Sequence, residues 1–78
     1  MNASEIARVQ AYLRKLIGSD RIRVVKPVRA GLSVEVAIDQ EVIGTLHRDD
    51  DEGEVSYSMH VTILEEDLPA AAPLPRTR

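Results

Sequence analysis

Seventy-eight residues with a formal net charge of −3 and no cysteine make one domain at most, and they exclude disulfides, thiolate metal centres and cysteine nucleophiles. A chain this short buries only about 60–65% of its unfolded surface, so its stability must rest on one small core or on self-association. No apolar stretch approaches the roughly 20 residues a membrane span needs. The opening Met1 to Ile6 has neither a basic region nor an apolar run, so no signal peptide is expected, and a cytoplasmic protein is the default.

The first segment reads as a helix. Ile6, Val9, Leu13, Leu16 and Ile17 recur at the helical period and form one stripe. Asn2 can cap the helix and Glu5, three residues on, can close a capping box, with Ser4 as the competing cap. Gly18 stands where a left-handed residue would end it, and Arg14 and Lys15 lie in the last turn, where the dipole favours cations. Arg8, Ala11, Arg14 and Lys15 form the face opposite the stripe.

Four strands are predicted after it. Ile22, Val24 and Val28 mark the first, over 21–28. Leu32, Val34, Val36 and Ile38 mark the second in strict alternation, Val42 to Arg48 form the third, and Glu54 to Leu64 the fourth. Within the fourth, Val55 to Ile63 carries large apolar residues at every odd position, the signature of a strand with one buried face. Short connections make each neighbouring pair an antiparallel hairpin.

Keeping the apolar set on one face fixes the expected register. A turn at Arg29-Ala30-Gly31 sets Val28 against Leu32, Val24 against Val36 and Ile22 against Ile38. A turn at Asp39-Gln40-Glu41 sets Ile38 against Val42, Val36 against Gly44 and Val34 against Leu46. A turn at Asp50 to Gly53 sets Leu46 against Tyr57, Gly44 against Met59 and Val42 against Val61. Gly44 then lies mid-sheet, where a missing side chain would let the helix come close. The expected fold is α+β, an N-terminal helix on one face of a four-stranded antiparallel meander, forming a single domain over 1–68. Residues 69–78, with three prolines and no periodicity, are expected to be a flexible, polyproline-like tail.

The blocks Glu5-Ile6, Ala11 to Lys15, Arg21 to Val25, Val42-Ile43-Gly44, Asp49 to Tyr57 and Ile63 to Leu68 together resemble a family of short alphaproteobacterial proteins, a domain of unknown function numbered 3126. The likeness covers residues 5–68. It implies a small cytoplasmic bacterial protein and carries over no activity or site residue.

Charge is split along the chain. Residues 1–30 carry +5 and residues 31–78 carry −8, a division that suits either a nucleic-acid face or a basic helix neutralising an acidic sheet edge. Arg8, Arg14 and Lys15 could reach phosphates, but single-strand readers add aromatics for stacking, and only Tyr12 and Tyr57 are present. Nucleic acid is therefore the alternative partner. The acids of Asp49 to Glu54 fail the EF-hand spacing, because counting back from Gly53 puts Arg48 first, and they read as a solvated hairpin tip. His47 and His60 fall about 13 Å apart in the expected register, too far to share an ion. No serine sits in an elbow motif and no glycine-rich phosphate loop exists. No enzyme activity, cofactor or metal site is expected.

The outer sheet face remains. The expected register aligns Arg23, Ala37, Ile43 and His60 across four strands, above a row of Val25, Glu35, Thr45 and Ser58. With the helix on the other face, this one has no intramolecular cover. It is an ordinary wetted face or a docking surface. The expected function is a non-enzymatic interaction module that binds an unknown protein or a second copy through Arg23, Ala37, Ile43 and His60 or through an edge strand.

Overall fold

The computed structural model of the chain describes residues 1–29 and 31–71. The helix α1 runs Ala3–Ile17, followed by β1 Ile22–Val25, β2 Val34–Ile38, β3 Glu41–Asp51 and β4 Glu54–Val61, with a 3-10 turn at Glu65–Asp67. The four strands form one antiparallel sheet in the order β1-β2-β3-β4. Among the described residues no helix is long and apolar enough to cross a membrane. The alanines and proline at 69–71 carry no regular structure. The rest of the expected tail, and Ala30 of the expected first turn, lie outside the described residues.

Both ends of α1 follow the expected chemistry. Asn2 Oδ1 accepts from the Glu5 N–H at 2.7 Å and Glu5 Oε1 accepts from the Asn2 N–H at 2.9 Å, which satisfies two of the helix's unpaired N-terminal donors. Gly18 adopts φ 79° and its N–H bonds the Arg14 carbonyl at 2.8 Å.

β1 is shorter than expected. Arg23 and Val25 pair with Ala37 and Glu35, and Ile22 and Val24 turn their backbone groups to the other side. The next residue due to donate toward β2 is position 27, a proline with no N–H, so the ladder stops at Val25. The expected pairing of Val28 with Leu32 is absent, and both side chains are exposed.

The other two turns are also tighter than expected. Ile38 faces Glu41 across a two-residue turn with Asp39 at φ 56°. A bulge then restores the inner face: Ala37 pairs with Val42, Val36 pairs with Gly44, and Ile43 is the extra residue. The second hairpin turns on Glu52-Gly53, both at positive φ (54° and 82°), the twist that two-residue hairpins favour. Asp51 therefore faces Glu54 and β4 slides by two residues against the expected register. Leu46 faces Met59, Arg48 faces Tyr57 and Gly44 faces Val61. A two-residue slide preserves parity, so every residue of β4 keeps its expected face.

The core is small: Ile6 and Leu13 of α1 with Ile22, Val24, Val34, Val36 and Leu46 of the sheet, flanked by Val9, Ile38, Ile43 and Tyr57. Gly44 serves a different neighbour from the one expected. A Cβ there would collide with the His60 carbonyl oxygen and crowd the Val61 backbone. It is the β4 main chain, not the helix, that approaches closely.

Candidate functional site

One carboxylate fastens the helix to the far strands. Glu5 uses Oε1 in the capping box, while its Oε2 accepts from Arg48 Nε of β3 at 2.6 Å and from the Tyr57 hydroxyl of β4 at 2.8 Å. The bonds from the Asn2 backbone, then Tyr57 and Arg48, hold its carboxyl at about 2, against an ordinary 4.5, and outweigh the desolvation that would raise it. Glu5 is an ionised staple, too weak a base to take a proton near neutrality.

At its other end the helix covers the β1 edge. Gln10 Oε1 accepts from the Val24 N–H at 3.0 Å and Arg14 Nε donates to the Ile22 carbonyl at 2.8 Å. These are the backbone groups that β1 turns away from β2. Two side chains of α1 thus stand in for a fifth strand and blunt an edge that would otherwise template pairing.

Among the described residues the opposite edge has no such cover. With Asp51 and Glu54 as the bonded pair closing a two-residue turn, the even residues of β4 bond to β3. The odd ones, Val55, Tyr57, Met59 and Val61, aim their N–H and C=O outward. Among the described residues no strand pairs with that side. The same odd residues place their side chains on the inner face beside Leu46.

A helix about 10 Å across covers about two strands spaced 4.8 Å apart. α1 lies along β1, so Leu46 of β3 is still buried while Val55, Met59 and Val61 on the inner face of β4 stay exposed. The result is a groove of about 460 Å³ lined by Glu5, Arg8, Val9, Tyr12, Leu13, Leu16, Leu46, Tyr57 and Met59. Tyr12 and Leu16 on its helix wall are 62% and 65% exposed. At the tip of the long hairpin, Asp49, Asp51, Glu52 and Glu54 line a separate acidic hollow.

The expected outer-face row does not form. Arg23 does face Ala37, and Ala37 is buried at 3% exposure outside the core cluster. The bulge, however, puts Val42 opposite Ala37 and turns Ile43 against the core, so Ile43 is no outer-face residue. The slide of β4 moves His60 into the next row, opposite Thr45. The same slide brings His60 diagonally beside His47. Their rings lie 5.4 Å apart edge-to-face, not 13 Å, with Thr45 Oγ1 3.2 Å from His47 Nε2. Among the described residues no group of three or more His, Cys, Asp or Glu side chains is placed to hold a metal ion.

The basic helix face is also divided. Arg14 is engaged with β1 and Arg8 lines the groove. Sequence reasoning missed the groove itself. Its signal was present in the width of the helical apolar set: with Tyr12 added to the five stripe residues, it exceeds what a two-strand footprint can bury.

The family model described as "Protein of unknown function (DUF3126)" matches residues 5–67, and the chain belongs to that family. Neither the curated proteins nor the solved structures give a match. The matched segment contains all four strands, α1 from Glu5 onward and both walls of the groove.

Proposed function

We propose that this member of the DUF3126 family is a small, non-enzymatic, cytoplasmic protein-interaction module whose binding surface is the inner-face groove between α1 and β4, together with the free β4 edge. The observation that carries this reading is the exposure of Tyr12 and Leu16 on the helix wall beside an apolar floor on which Met59 is exposed too. A contiguous apolar hollow beside an unpaired strand edge is the kind of surface that a soluble protein covers with a partner. A non-catalytic role is supported by Glu5, the one carboxylate lining the groove among the described residues, which is fully engaged in holding the fold.

The groove replaces the outer face as the favoured surface. Outside, Glu35, Thr45, His47, Ser56, Ser58 and His60 are polar, Ile43 is turned inward, and Val42, opposite Ala37, is a single exposed aliphatic residue among them. Leu16→Lys tests the reading, because a charge in an apolar contact weakens binding while the exposed position leaves the fold intact. Affinity capture from a native lysate should lose specific partners with this variant and keep them with Ser58→Ala on the outer face. Identical partners for wild type and Leu16→Lys would overturn it.

A further inference from the structure

We infer that the partner at this surface is an extended segment of another protein that adds to the β4 edge as a fifth strand bordering the groove, with apolar side chains at alternate positions and basic residues at its ends; this rests on the interaction role proposed above. Four consecutive odd residues, Val55, Tyr57, Met59 and Val61, present outward backbone groups and inward apolar side chains on the same strand. An added strand would satisfy those backbone groups and set every second side chain on the inner face beside Tyr57 and Met59, extending the groove's outer rim, the arrangement that strand-addition recognition uses.

Charge selects the ends of that segment. The free edge begins at the acidic tip, where Asp51, Glu52 and Glu54 precede Val55, and is followed four residues beyond Val61 by Glu65, Glu66 and Asp67. Arg48, the nearest cation on the sheet, is held by Glu5. A second copy is disfavoured as occupant. Antiparallel pairing of two β4 strands would bring each acidic tip to the partner's Glu65–Asp67 turn, setting like charges together.

The test uses a peptide of seven alternating Val and Thr residues with two Lys at each end, and a twin with Glu at each end. Fluorescence anisotropy should show the Lys-ended peptide binding at least tenfold more tightly, with the difference shrinking as salt rises. Amide resonances of Val55, Tyr57, Met59 and Val61 should shift on binding and those of β1 should not. N-methylation of the peptide amides due to bond β4 should cost at least tenfold while the protein is untouched. Equal affinity for the two peptides, no binding by either, or indifference to N-methylation would overturn the inference. A concentration-dependent dimer of the free chain with protected β4 amides would overturn it too, yet leave the groove as the interaction surface. Loss of that surface is reported separately, by unchanged capture with Leu16→Lys.

Discussion

Glu5 and Tyr57 stand 52 positions apart in the chain, and the Tyr57 hydroxyl donates to Glu5 Oε2 at 2.8 Å. The same oxygen takes Arg48, and the other oxygen caps the helix. Helix start, third strand and fourth strand therefore meet at one carboxylate, and the groove begins where that contact ends.

Protonation of Glu5 should loosen this junction. The carboxyl sits at about 2 in the fold against an ordinary 4.5, so its contribution is present above pH 4.5. It is lost as pH falls toward 2, because the unfolded chain takes the proton first. Glu5→Gln keeps a neutral capping partner but removes the ionised acceptor. It should be less stable than wild type at pH 7 and show a shallower loss between pH 4.5 and 2. Denaturant midpoints measured across that range check both points.

Leu13 is buried against the sheet whereas Arg8 lies on the groove wall. Leu13→Ala should cost about 2–4 kcal/mol, a large fraction of the stability of so small a domain. Arg8→Ala should stay within about 0.5 kcal/mol. Equal midpoints in equilibrium denaturation would mean the helix is rotated from the orientation described.

Gly44→Ala would drive a methyl group into the His60 carbonyl, and backbone cannot yield as a flexible side chain would. The change should destabilise by about 1–3 kcal/mol. Faster hydrogen exchange should appear at the bonded even residues of β4, His60 before Ser56. Uniform exchange along β4 would contradict the close approach.

Leu16→Lys should lie within about 0.5 kcal/mol of wild type, since the side chain is 65% exposed and Lys suits the last turn of a helix. A loss like that of Leu13→Ala would show that the groove is closed in solution.

Much of the fold was legible because alternation and helical period are local signals. The Asn2–Glu5 capping box, the Gly18 terminus, the β1–β2 register from Ile22 to Val25 and the facing of β4 all follow from them. The departures came from turns. Glu52 and Asp39 accept positive φ despite being neither Gly nor Asn, so two tighter hairpins formed, one slid β4 by two residues, and the other required a bulge at Ile43. The outer row of Arg23, Ala37, Ile43 and His60 depended on both registers and was lost with them. The groove was hidden for another reason. A helix stripe says which face is apolar, but only its position over the sheet says which strands it leaves bare.

Photo-crosslinking from inside the groove tests the central claim most directly. A photoreactive benzoylphenylalanine placed at Met59 and, separately, at His60 reads the two faces of one strand from adjacent positions. The groove account predicts specific adducts in a native lysate from position 59 in clear excess over position 60. Adducts confined to position 60 would contradict it and return the interaction to the outer face.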